Sequence, residues 1–280
     1  MPHSREACLA YLQQSIRRHR LERFFTDPQV VENIAQNAEQ KLSDWRDRVE
    51  EFFSAEEMSE YAYSMLLLSL YQIHILLDDS GSMFEEDRIR TAQSTIRNIV
   101  DIDCAIIEKG IRLHLLNGED PKEVINSVDD FNRWSEAVEY GGSTRLGTVL
   151  RAKIWSKIVE DPAKFARPCL VYVITDGEPT AEPRSALKES VLKCKNDLAA
   201  NSYSPAAIAF GIVQVGTDEG AREFLDELVQ IQELQDHLDV VNQNSILENH
   251  FRETHGKPKE LESTLALKLL VGAIDRTGSS

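Results

Sequence analysis

Apolar positions along this chain repeat with two different periods, and the change falls near residue 70. Before it, Val30, Ile34, Ala38, Leu42, Trp45 and Val49 recur three or four positions apart, the spacing of one helix face. Thr26-Asp27-Pro28 supplies a start for that helix, a capping side chain followed by proline in the first turn. Ser54-Ala55-Glu56-Glu57 has the form of a capping box ahead of the apolar stretch Met58–Leu70. Pro2 and Pro28 are the only prolines before residue 71, and no glycine occurs there. The pattern predicts two or three helices over residues 1–70, a helical N-terminal extension.

From Tyr71 onward, short apolar runs alternate with longer amphipathic segments, the signature of a parallel α/β sheet. Strands are predicted at Tyr71–Leu77, Ile111–Leu116, Cys169–Thr175, Ala206–Val215 and, briefly, Val240-Val241. Cys169–Thr175 is apolar without alternation, as expected of a strand buried on both faces. Helices are predicted at Glu86–Val100, Leu146–Val159, Arg184–Ala200, Asp218–Gln230 and Leu261–Ile274, with a short one opened by Asp120-Pro121 and running through Val128. The polar stretch 249–259 reads as a loop. The expected architecture is α/β: a doubly wound, mostly parallel, Rossmann-like sheet flanked by helices over residues 71–280, preceded by the extension at 1–70.

Charge and composition narrow the function. The 280 residues carry a formal net charge of −16, which argues against nucleic acid and against anionic membrane as partners, since both want a basic face. The longest apolar stretch, Met65–Leu77, is interrupted by Ser69, Gln72 and His74 and falls short of the ~20 residues a bilayer span needs. Residues 1–20 are rich in Arg and His and lack a signal-type apolar core. Cys8, Cys104, Cys169 and Cys194 show no Cys-x-x-Cys or zinc-type spacing. Four reduced thiols and a cytoplasmic protein are the expectation.

The candidate chemistry sits where predicted strands end. Asp78-Asp79-Ser80-Gly81-Ser82-Met83 follows the first strand directly. Thr144 lies in Gly141-Gly142-Ser143-Thr144-Arg145-Leu146-Gly147, which opens a helix, and Asp176 follows the apolar strand Cys169–Thr175. In an open α/β sheet these ends share one rim, where ligands bind. Carboxylates and hydroxyls are hard donors and suit a hard cation, Mg²⁺ first and Mn²⁺ or Ca²⁺ as substitutes. Taken singly, Asp-Ser-Gly reads as a turn, Thr144 as a helix cap and Thr175-Asp176-Gly177 as a strand-end turn; the combination carries the metal reading. A cation held for stability alone is the plainer version of it. Asp79 is expected to point away from the metal, and Glu85, Glu86, Asp87 and Glu178 to surround it with negative charge, drawing a cation in and opposing an acidic partner.

The five residues Asp78, Ser80, Ser82, Thr144 and Asp176 resemble the metal-ion-dependent adhesion site of the von Willebrand factor A domain, over roughly residues 71–275. Val215-Gly216-Thr217-Asp218 and the run 269–276 resemble a soluble, fungal-type branch of that family. The resemblance implies that Ser80 and Ser82 bind the metal directly, that Thr144 joins them in an open state, and that Asp78 and Asp176 act mostly through water. It also implies a protein partner that presents Asp or Glu to the last coordination position. Neutral hydroxyls leave a divalent ion under-compensated, so an external carboxylate is attracted.

Two other readings stand beside this one: a metal-dependent hydrolase, and an accessory subunit of an ATPase or chaperone-like complex. No catalytic base or nucleophile is identified in the sequence, and no nucleotide-binding loop. Gly216 with Asp218 reads as a helix start. His74 and His114 read as buried strand residues, and His237, His250 and His255 lack ligand spacing. Trp45, Trp134 and Trp155 read as packing residues, and Met83 as a plug beneath the metal loop.

Overall fold

The computed structural model describes residues 2, 4–50, 53–107, 109–156, 165–235, 237–242, 266–267 and 269–274, with the side chains of 48, 49, 106 and 242 left aside. Three helices come first: α1 (Arg5–Arg18), α2 (Pro28–Val49) and α3 (Ala55–Leu68). Asp27 caps α2 through a bond from Gln29 N at 2.9 Å. Ser54 and Glu57 form the reciprocal capping box at the start of α3, which satisfies two orphan donors of the first turn.

The sheet has five parallel strands: β1 (Gln72–Leu77), β2 (Arg112–Leu115), β3 (Cys169–Thr175), β4 (Ile208–Gln214) and β5 (Leu238–Asn242). Their order is β2-β1-β3-β4-β5, with Leu77 opposite Leu115 on one side and Ile174 on the other. The order reverses between β1 and β3, so the loops leaving those two strands part around a crevice, the switch point where ligands of such sheets bind. Every residue of β3 and β4 is buried, as parallel strands covered on both faces require.

The connecting helices are α4 (Arg88–Ile102), α5 (Val128–Glu136), α6 (Leu146–Val149), α7 (Ala186–Ala200) and α8 (Glu219–Gln230), with residues 266–267 and 269–274 helical as well. Side chains alternate across the sheet, so two cores form. Ile73, Ile75 and Leu77 of β1 join Leu170, Tyr172 and Ile174 of β3 on one face. Leu12 of α1, Leu42 of α2, Leu66 of α3 and Ile96 of α4 belong to that same continuous cluster. Leu76, Val171, Val173 and Ile212 face the other way, under α6, α7 and α8. Each fully buried Leu or Ile contributes on the order of 2 kcal/mol.

Two predicted helices differ in the structure. The short helix through 120–128 does not form. Asp120 accepts instead from His114, Lys153 and the Leu115 amide at 2.7, 2.8 and 3.1 Å, and the helix begins later, where Ser127 caps Asp130 N at 3.0 Å. The helix expected over Leu146–Val159 is α-helical only to Val149 and continues as a π-helix over Leu150–Trp155; its predicted end lies outside the described residues. α4 likewise runs on as a π-helix, Asp103–Ile107. The expected loop 249–259 and the first five residues of the predicted closing helix also lie outside the described residues, as do His250 and His255.

Candidate metal centre

β1 delivers Asp78 to the rim with its backbone amide still bonded to Ile174 O of β3 at 2.8 Å. The side chain is fully buried. One carboxylate oxygen accepts from Ser80 N at 2.9 Å and the other from the Thr175 hydroxyl at 2.6 Å. Burial pushes the Asp78 carboxyl up to about 6, against those two hydrogen bonds, and the nearby charge of Asp176 adds to the rise.

A chain of oxygens crosses the crevice from β1 to β3. Ser80 Oγ lies 3.1 Å from Ser82 Oγ, and Ser82 Oγ donates to Asp176 Oδ1 at 3.1 Å. Ser82 is exposed, whereas Ser80 and Asp176 are buried. Met83, one residue on, is fully buried beneath the loop. Hydroxyl and carboxylate oxygens are hard donors, so the chemistry of this set fits a small hard cation.

Arg88 is the residue the sequence reading passed over. Its guanidinium is 5% exposed and donates to Asp176 Oδ2 at 2.6 Å and to the Ser82 carbonyl at 3.2 Å. It also pairs with Glu85 at 3.2 Å and Glu86 at 3.7 Å. A signal was present: Arg88 shares the buried face of α4 with Ala92, Ile96 and Ile99, where an unpaired charge would not be tolerated. Gly216 makes room for it. Its φ of +80° suits glycine, and a Cβ there would come within 2.6 Å of Arg88 Nε. Arg88 binds one oxygen of Asp176 and leaves the other facing Ser82. It also offsets the acidic surround expected from the sequence, as Arg184 does at Glu178.

Asp79 turns away from this chain of oxygens, as expected. Buried, it accepts from Asn117 N at 2.8 Å and Gly118 N at 2.7 Å, so it ties the end of β1 to the loop after β2. Its carbonyl takes Gly141 N at 2.6 Å, which anchors the loop that carries Thr144. Thr144 is buried and exchanges backbone bonds with Thr180, 3.1 Å to its hydroxyl and 3.0 Å in return. Thr144 thus sits between the loops after β1 and β3, but among the described residues its hydroxyl makes no hydrogen bond to Ser80, Ser82 or Asp176. It does not cap α6 either. Glu182 does so from across the crevice, accepting from Gly147 N at 2.7 Å and Thr148 N at 2.8 Å.

Among the described residues no group of three or more His, Cys, Asp or Glu is placed to hold a metal, so hydroxyls carry the candidate site. His74 and His114 stack on the sheet, 3.2 Å between ring nitrogens, with His114 bonded to Asp120. Phe84, in the loop after β1, is 68% exposed and packs edge-on against the ring of Tyr140.

No family model matches the chain, and no curated protein matches it. Solved structures similar to it include proximal thread matrix protein 1 from the mussel byssus, at 15% identity and a TM-score of 0.41, covering 74% of this chain and 48% of that one. A von Willebrand factor type A structure from Catenulispora acidiphila matches at 15% identity and a TM-score of 0.42, covering 69% and 42%. The manganese-loaded TRAP protein of Plasmodium vivax matches at 12% identity and a TM-score of 0.43, covering 64% and 72%. The chain spans under half the length of the first two.

Proposed function

We propose that this chain is a binding module of the von Willebrand factor A type, and that its rim site holds a divalent cation, Mg²⁺ or in its place Mn²⁺ or Ca²⁺, as a bridge to a protein partner. The observation that carries the proposal is the oxygen chain Ser80 Oγ, Ser82 Oγ and Asp176 Oδ1, with 3.1 Å at each step, backed by the buried Asp78. In this reading Ser80, Ser82 and Thr144 bind the ion and Asp78 and Asp176 hold its waters. Bound there, the cation would supply a positive charge that attracts a carboxylate.

The partner's Asp or Glu completes the coordination. Exposed Phe84 beside the loop offers the apolar contact that a lone ionic bridge lacks. Arg88 lowers the repulsion such a carboxylate meets, because it already compensates Glu85 and Glu86. We place the protein in the cytoplasm. Cys8, Cys104, Cys169 and Cys194 are free thiols, which suits a reducing compartment. No helix of the described residues is long and apolar enough to cross a membrane.

Calorimetric titration with Mg²⁺ tests the proposal. Wild type should bind one ion, and Ser82→Ala, a change at an exposed position, should weaken binding by about tenfold or more. Absence of Mg²⁺, Mn²⁺ and Ca²⁺ binding to the wild type would reject it. With binding established, partner capture from cell lysate in Mg²⁺ but not in EDTA, lost in Ser82→Ala, is the expected second result.

A further inference from the structure

A cavity of about 400 Å³ opens between the loop after β2 and the exit of α5. Leu115 in its lining is buried, and Pro121, Trp134 and Val138 are half-buried, whereas Glu119 and Glu139 are exposed. Trp134 packs on the buried ring of Phe131, with centroids 6.0 Å apart. The cavity is thus an apolar slot that carries carboxylates on its solvent side. Among the described residues Glu119 and Glu139 make no hydrogen bond or ion pair, and Lys122 is the only basic residue of the lining. Asp120 also lines the slot, but its carboxylate already accepts from His114 at 2.7 Å and from Lys153 at 2.8 Å. Two carboxylates with no internal partner, beside an aromatic ring, suit a cation.

Both walls of the slot are tied to the carboxyl-end rim through Asp79, the neighbour of Ser80. Gly118, in the wall from β2, donates its amide to the Asp79 carboxylate at 2.7 Å. Gly141, two residues beyond Glu139, donates to the Asp79 carbonyl at 2.6 Å. Tyr140, between them in sequence, packs edge-on against exposed Phe84, with centroids 6.1 Å apart. The slot therefore borders the face on which a partner would approach Ser80 and Ser82.

We propose that this slot receives an arginine side chain of the protein partner, its stem on the apolar lining and its guanidinium met by Trp134 and the carboxylates of Glu119 and Glu139. The inference rests on the reading of this rim as a partner-binding face. Arginine matches both halves of the lining, because its methylene stem is apolar and its head is charged. The guanidinium is weakly hydrated, stacks on aromatic faces and forks to carboxylates, which an ammonium does less well. A volume of about 400 Å³ lies in the lower range of ligand pockets, so a single long side chain enters and a folded element does not. A partner would then offer an acid to the cation and an arginine to the slot, and opposite charges at two separate points fix its register.

The test follows the Trp134 indole N–H by NMR, assigned with Trp134→Phe, while the full chain is titrated with a blocked glycine-arginine-glycine peptide in EDTA. Without metal the titration reads the slot alone, so its failure and a failure of the cation site are told apart. The peptide should shift the Trp134 signal with a dissociation constant of about 1–10 mM. The same peptide with citrulline, which keeps the shape and loses the charge, should bind about fivefold more weakly. Glu119→Gln together with Glu139→Gln, both exposed changes, should weaken arginine binding about fivefold. The equal charge change Asp129→Asn with Glu136→Gln, at exposed positions of α5 outside the lining, should leave it as in wild type. No shift of the Trp134 signal at about 20 mM peptide, a citrulline peptide bound as tightly as the arginine one, or equal weakening in the two double variants would overturn the proposal.

Discussion

Replacing Arg88 by Met tests how charge is balanced at the carboxyl-end rim. The guanidinium sits 2.6 Å from Asp176 Oδ2, with side chains 5% and 0% exposed, so the pair is buried on both sides. Removing one partner of such a pair typically costs about 3–5 kcal/mol, because the other charge stays behind unpaired. Asp176 would then share the rim with buried Asp78 and have no fixed cation. For a chain of this size the loss corresponds to a fall in melting temperature on the order of 10 °C, read by thermal unfolding in EDTA. Mg²⁺ should then act differently on the two proteins. On the proposed reading the ion would compete with Arg88 for the charge of Asp176 in wild type and would be its compensation in Arg88→Met, so affinity should rise. At 100 times its dissociation constant a ligand stabilises by about 2.7 kcal/mol, and the tighter site gains more at the same concentration. Two results would refute the reasoning. A variant as stable as wild type in EDTA would mean that the pair contributes nothing. A Mg²⁺ shift no larger in the variant than in wild type would mean that metal and Arg88 do not share the Asp176 charge.

Three further outcomes are expected. His19, buried and held down to about 4 by burial and then by Arg18, takes up its proton more readily unfolded than folded. Stability should therefore be full above pH 6.5 and fall as the pH drops toward 4, by about 2–3 kcal/mol at pH 4.5; urea unfolding should show His19→Gln losing less over that range, and an equal loss would exclude His19 as the source. Leu12 is fully buried in the cluster that runs from α1 to the sheet. Leu12→Ala should lower the stability of the whole fold by about 2–5 kcal/mol in one cooperative transition, whereas a separate early transition would make residues 1–70 an independent arm. Gly216→Ala places a Cβ against Arg88 Nε at a φ of +80°; calorimetric unfolding should show a loss of about 1–3 kcal/mol, and a neutral result would mean that Arg88 can move aside.

The local pattern of the sequence was enough to establish the parallel α/β class, the starts of α2 and α3 and the three segments that carry Asp78, Ser80, Ser82, Thr144 and Asp176. Period and capping act over a few residues, so a single chain can be read for them. The unbroken apolar run at 169–175 already required a strand covered on both faces, and the structure buries every residue of it. What lies on one rim of a sheet follows from strand order, and the order β2-β1-β3-β4-β5 came only from tertiary structure. So did the competition for Asp120, whose side chain serves His114 and Lys153 and leaves its own helix unformed. Arg88 on Asp176, Glu182 on the start of α6 and Asp79 on Asn117 and Gly118 join residues 35 to 88 positions apart. No local periodicity marks such pairs, because burial and charge select them only after the chain has brought them together.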